Sequence, residues 1–231
     1  MKKELLIFGA NGALGRGVTN TLIKKNYDNI YLFDFDFKGM DISNSNVSLV
    51  NVKDLTKEEN IEEAFIKVLP SKDKVFYLFS AIGGFSGGKA VWETTHFELE
   101  KMIDMNLKTS FFISKYFSKL VSESFSGSIC FTTAFTGIIA EENKAAYGLS
   151  KAALIHLVKS LALEGRDIKL SVNAIAPYII DTKANREWMK DIDLESIMKP
   201  DEIGELINSI FDNYHFVTSN IIELPHRFKP Y

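Results

Sequence analysis

The sequence predicts an α/β fold: a single doubly wound domain over residues 1–231, with a parallel sheet of about seven strands and helices on both faces. Three observations lead there. Short continuous apolar runs, of the kind shown by strands covered on both faces, recur along the chain. Segments with helical apolar spacing separate them. The first run stops at a cluster of glycines that opens onto a helix.

Residues 5–8 are the first run, and 30–33 and 75–79 repeat the pattern. Residues 128–132 do so with more polar side chains, 170–175 and 220–224 read as the last two strands, and 47–50 is a weaker candidate after the second. Residues 201–211 place Ile203, Leu206, Ile207, Ile210 and Phe211 at helical spacing behind Asp201 and Glu202, which suit the positive end of a helix dipole. Two other helices, near 104–121 and 145–163, are apolar around most of their circumference. Phe111, Phe112, Ile113, Tyr116 and Phe117 cannot all face one sheet, nor can Leu149, Leu154, Ile155, Leu157 and Val158. A second buried face with no spare segment to cover it predicts a homodimer or homotetramer through these helices.

Composition narrows the function. A hydrophobic fraction of 46% and a charged fraction of 25% are ordinary for a folded globular chain. The net charge of −3, without a lysine or arginine run, predicts neither nucleic acid nor a membrane surface as partner. Cys130 is the only cysteine, so no intramolecular disulfide forms. His96, His156, His215 and His226 are scattered without ligand spacing, and no metal is expected. The apolar run near the N-terminus is too short for a signal peptide, and no stretch approaches the ~20 apolar residues of a membrane span, so a cytoplasmic location is the expectation.

Chemistry enters at the first turn. Gly9, Ala10, Asn11, Gly12, Ala13, Leu14 and Gly15 join the first strand to the first helix, where glycine lets the backbone turn sharply and approach a pyrophosphate at the helix N-terminus. Asp34 follows at the end of the second strand, where an acid contacts a ribose 2′-hydroxyl and repels a 2′-phosphate. NAD(H) is therefore favoured over NADP(H), with Asp36 pointing the same way as an alternative partner. Asp54, just past the third strand, reads equally as an adenine contact or as the N-cap of a helix beginning near Thr56. Together these make a Rossmann-type nucleotide-binding domain the expectation.

Tyr147 and Lys151 lie four apart on a helix, so their side chains share one face. An ammonium beside a phenol is expected to lower its ordinary pKa of ~10 toward working pH, making tyrosine a usable general acid and base.

At this point the chain resembles the short-chain dehydrogenase/reductase family over essentially its whole length. The resemblance rests on the glycine turn, Asp34, Asp54, Asn106 between Met105 and Leu107, the Tyr147-Gly148-Leu149-Ser150-Lys151 run, and Pro177 with Asp181 and Thr182. It implies a hydride transfer from NAD(P)H to a small substrate. Tyr147 would be the proton donor, Lys151 would position the nicotinamide ribose and tune Tyr147, and Asn106 would help hold a water relay. It further implies cofactor contacts at Gly9, Asn11, Gly12, Ala13, Leu14, Gly15, Asp34, Asp54, Ile82, Gly83, Tyr147, Lys151, Pro177 and Thr182.

One departure is informative. The family's catalytic serine falls at Ala134, and Thr133 is one residue off and need not point the same way. The serine-less arrangement resembles the dihydropteridine reductase branch of the family, as do the glycine turn, the Ile82-Gly83-Gly84-Phe85-Ser86-Gly87-Gly88 segment, and Asn185, Arg186 and Met189 after Thr182. Asn106 fits the general family better than that branch, and Tyr178 fits neither. A quinonoid dihydropteridine is thus the candidate substrate, since such a ring needs less carbonyl polarisation than a ketone, and Phe85 is placed to stack on it. Residues 182–197, with Trp188, read as a lid over it. Two alternatives stand: a reductase of an unidentified carbonyl or alcohol using Thr133, and a nicotinamide-binding regulator of reduced catalytic power, suggested by Ala134.

Overall fold

The computed structural model describes residues 1–189 and 193–228. Its strands are β1 (Lys2–Phe8), β2 (Asn29–Asp34), β3 (Val47–Asn51), β4 (Lys74–Ser80), β5 (Ser126–Thr132), β6 (Leu170–Pro177) and β7 (Ile221–Leu224). They form one seven-stranded sheet in the order β3-β2-β1-β4-β5-β6-β7, every pair parallel. The expected strands are all present, most of them longer by a residue or more at an end. The weak candidate at 47–50 is the edge strand β3, and its exposure explains the faint pattern.

The helices are α1 (Ala13–Leu22), α2 (Glu58–Ile66), α3 (His96–Ile103), α4 (Thr109–Ser122), α5 (Ala145–Glu164), α6 (Lys183–Trp188) and α7 (Pro200–Asp212). Strand alternation divides the interior into two layers. Leu6 and Phe8 of β1 join Ile61 and Phe65 of α2, Ile113 and Phe117 of α4, and Leu154 and Val158 of α5. Leu5 and Ile7 turn the other way, onto Leu14 and Val18 of α1 and Ile203 and Ile207 of α7. Both faces are dry, which is why β1 reads as an unbroken apolar run. Phe8 and Phe33 stack with centroids 4.3 Å apart beneath the β1–α1 turn, setting it on a rigid base.

Local chemistry accounts for the helix ends. Pro200 opens α7, and the Glu202 side chain accepts the Lys199 N–H at 3.1 Å. Thr95 and Glu98 form a reciprocal capping box on α3. Between α3 and α4 the chain adopts a π-helical turn at Asp104–Lys108, a feature that apolar spacing does not reveal. Part of the expected lid is the short helix α6, whereas residues 190–192 and the Trp188 side chain lie outside the described residues. Among the described residues no helix is long and apolar enough to cross a membrane.

Candidate active site

The strand order reverses between β1 and β4, and doubly wound sheets bind ligands in the crevice beyond the strand ends at such a point. Phe8 and Ser80 are register partners there, so the 9–15 turn and the Ala81, Ile82, Gly83 segment leave the sheet side by side. Gly9 has φ +75°, and a Cβ on Gly15 would stand 1.8 Å from the Gly9 carbonyl oxygen, so only glycine lets α1 start this close to the turn. No side chain caps the N-terminus of α1 at Gly12. Gly12 and Ala13 are exposed, while Leu14 and Gly15 pack inward.

Asp34 ends β2 and faces this turn. One carboxylate oxygen accepts the Asn11 N–H at 2.7 Å and the other accepts the Phe35 N–H at 2.7 Å, which fixes an anion at the rim. Asp36 accepts from the Asn11 amide at 3.3 Å and from the Lys38 N–H at 2.9 Å. The Asn11 Oδ1 is buried and without a hydrogen-bond partner from the protein. Arg16, unremarked in the sequence, donates to the carbonyls of Asn11, Lys38 and Gly39, so three of its five N–H groups tie it to the backbone. Asp54 is exposed, and its Oδ1 accepts from both the N–H and hydroxyl of Thr56, at 2.9 and 2.7 Å, which holds its carboxyl below the usual carboxylate range. The N-cap of α2 is Lys57, so the capping alternative for Asp54 is not realised.

Ile82 leans on Gly9, and a Cβ on Gly83 would lie 2.8 Å from Lys151 Nζ and 2.9 Å from Asn106 Oδ1. Three distant segments therefore converge at Gly83. Asn106 is fully buried in the π-helical turn. Its Oδ1 accepts the Gly84 N–H at 2.9 Å, and its amide donates to the Gly84 carbonyl at 3.0 Å and to the Ser150 hydroxyl at 2.9 Å. The side chain expected at a water relay is thus a clamp between the β4 extension and α5. Pro177 closes β6, and the Thr182 hydroxyl accepts the Asn185 N–H as the N-cap of α6. Asp181 forms a two-pronged pair with Arg186.

Tyr147 and Lys151 share a face of α5 as predicted, with Lys151 Nζ 6.0 Å from the Tyr147 ring centroid. Their electrostatics correct the sequence expectation. Lys151 is 3% exposed and donates to the Thr132 carbonyl at 2.8 Å. Burial brings its ammonium down to about 7. The Tyr147 phenol is pushed up to about 12, by burial first and then by the Glu141 carboxylate. From the protein's own groups alone, desolvation outweighs any acidifying effect of the lysine.

Beside Tyr147 opens a cavity of about 370 Å³, lined by Phe85, Glu141, Lys144, Tyr178 and Asn185 among others. The Phe85 ring meets Tyr147 edge-on at 5.0 Å. Ala134 carries no hydroxyl, and the buried Thr133 hydroxyl donates to the Ile175 carbonyl at 2.8 Å, away from any serine-like task. Sequence reasoning missed Ser150, Glu141 and Lys144. Only the contacts of the folded chain single them out.

A turn that a Cβ would fill and an unpaired Asn11 Oδ1 at its edge fit a nicotinamide dinucleotide. Comparison with known proteins agrees. Residues 13–222 match a family profile described as enoyl-(acyl carrier protein) reductase. The chain is 30% identical to a dihydropteridine reductase of Dictyostelium discoideum over 207 residues, 89% of this chain and 86% of that one. It is 24% identical to an NAD-dependent glycerol dehydrogenase of Listeria innocua, covering 87% of this chain and 81% of that one. Among solved structures, a short chain dehydrogenase family protein from Francisella tularensis superposes with a TM-score of 0.81 at 23% identity, over 96% of this chain and 97% of that one. ElxO with NADP bound superposes at 0.86 and 22% identity, over 97% of each chain, and shares the fold.

Proposed function

This chain belongs to the short-chain dehydrogenase/reductase family and is an NAD(P)-dependent oxidoreductase, and from that premise we propose that it reduces a quinonoid dihydropteridine with NADH. The observation that carries the substrate is Ala134, with the neighbouring Thr133 hydroxyl given to Ile175. A site without a hydroxyl to polarise a carbonyl suits a ring that is already electron-poor. Likeness to a dihydropteridine reductase supports the same substrate.

When bound, the cofactor supplies the hydride. The 9–15 turn would hold its pyrophosphate, Asp34 its adenosine ribose, and Lys151 its nicotinamide ribose. Tyr147, whose phenol keeps its proton across the working range, delivers that proton to a ring nitrogen, completing a two-electron reduction. NADH is the preferred donor because the Asp34 carboxylate opposes a 2′-phosphate. The molecule works as a homodimer or homotetramer through α4 and α5.

The test is NADH oxidation with quinonoid dihydrobiopterin. Tyr147→Phe is expected to lower kcat by roughly 10²–10⁴-fold, the usual worth of a positioned general acid. Unchanged turnover would remove Tyr147 from the reaction.

A further inference from the structure

The cavity beside Tyr147 has a charged wall that the proton-transfer chemistry does not use. Glu141 and Lys144 line it together, with side chains 22% and 24% exposed and an Nζ–Oε2 separation of 2.5 Å. The Thr136 hydroxyl, which also lines the cavity, donates to the other carboxylate oxygen. Lys144 Nζ stands 6.0 Å from the Phe85 ring centroid, and the Glu141 charge reaches the Tyr147 phenol. An acceptor and a donor thus sit next to each other on the wall of an aromatic-sided cavity, within electrostatic reach of the proton donor.

We propose that Glu141 and Lys144 read the edge of the substrate ring, selecting a planar heterocycle that presents a carbonyl followed by two N–H donors. Lys144 takes the carbonyl, and the Glu141 carboxylate takes the ring N–H and the adjoining amine. The inference rests on the pteridine reading above, whose 2-amino-4-oxo edge has this order of groups, and it names what in that ring is recognised.

Three arguments support the assignment. An ionised carboxylate has about four acceptor positions, and Thr136 and Lys144 occupy two, leaving a pair for parallel N–H donors. Lys144 has three donors and gives one to Glu141. Burial works against ionisation of Glu141, but Lys144 and Thr136 outweigh it and hold the carboxyl below its ordinary range, so it stays an acceptor at neutral pH. A ring without N–H donors would displace water from this carboxylate and return nothing, which penalises the wrong substrate more than it rewards the right one.

The experiment reads binding and turnover together on the full chain. Wild type, Glu141→Gln, Lys144→Met and Lys144→Arg are assayed with NADH and quinonoid dihydrobiopterin. Each is also titrated calorimetrically with 7,8-dihydrobiopterin, which keeps the same edge, and with NADH alone. The first two substitutions are expected to raise KM and the dihydrobiopterin Kd by about tenfold or more, the worth of one charge-assisted hydrogen bond. NADH affinity should not move, because the glycine turn is untouched, and the rise in KM and in the dihydrobiopterin Kd should exceed any change in kcat, which in Glu141→Gln also registers the loss of the carboxylate that raises the Tyr147 phenol. Lys144→Arg should keep most of the affinity. Turnover of the pterin by wild type with no change of KM in either variant overturns the edge-reading pair and leaves the pteridine reading standing. Equal losses of pterin and NADH binding with a lowered melting temperature mark the pair as a tie of the 136–144 segment, and likewise overturn it. A wild-type chain that binds NADH but neither binds nor reduces the pterin overturns the substrate reading and this inference with it.

Discussion

Lys151 sits at 3% exposure with the Thr132 carbonyl as its hydrogen-bond partner, and an ammonium in that position costs the fold stability. The sign follows from its depressed pKa. Below about 7 the folded and unfolded chains both carry the proton, and the folded one pays the full burial penalty. Between about 7 and the ordinary 10.5 the folded lysine is neutral while the unfolded one still binds a proton, so stability rises with pH across that window. Lys151→Met is expected to raise the melting temperature by several degrees near pH 6, by less as the pH climbs, and to abolish turnover. Melts of both proteins across that range check it, and a gain independent of pH would show that the ammonium is not depressed. The pairing of Tyr147 with Lys151 was legible because helical periodicity alone puts residues four apart on one face. The direction of their pKa shifts was not, since desolvation depends on everything packed around them.

At the level of elements, the end of β2 and the β1–α1 turn form one unit through Asp34. Its two oxygens hold the N–H groups of Asn11 and Phe35, so the residue proposed to oppose a 2′-phosphate also shapes the turn that would carry the pyrophosphate. Asp34→Ala is expected to move the ratio of kcat/KM for NADPH over NADH upward by about tenfold, the worth of one removed charge contact of ~1.4 kcal/mol, and to lower the melting temperature slightly. Assays with both cofactors decide it, and an unmoved ratio would pass the role to Asp36. The order strand, glycines, helix, acid was readable from the sequence because each part has its own local signature. Arg16 was silent there, since an arginine that ties down backbone carbonyls and one that makes no such contact look identical as letters. The π-helical turn that buries Asn106 also leaves no trace in apolar spacing.

Over the whole molecule, the sheet accounts for only part of the apolar surface of α4 and α5. Ile113, Phe117, Leu154 and Val158 are buried against it, whereas Phe111 is 53% and Leu149 61% exposed. Full burial of such a side chain from water gains roughly 1.5–3 kcal/mol, and the proposed pairing of copies would add the part of this that the sheet leaves unrealised. The double substitution Phe111→Glu, Leu149→Glu is expected to convert an oligomer into a monomer in light scattering behind size exclusion. A wild-type chain that runs as a monomer at micromolar concentration would sink the assembly reading.

Patterns that repeat within a few residues were enough for the seven parallel strands, the glycine turn and the Tyr147–Lys151 face, because pleat, helical pitch and turn chemistry depend on near neighbours. Which groups become dry, which carbonyl meets Lys151, and that Glu141 and Lys144 share a cavity with Phe85 and Tyr178 were decided only by the folded chain. Burial and charge environment are assembled from segments far apart in the sequence, and no local period encodes them.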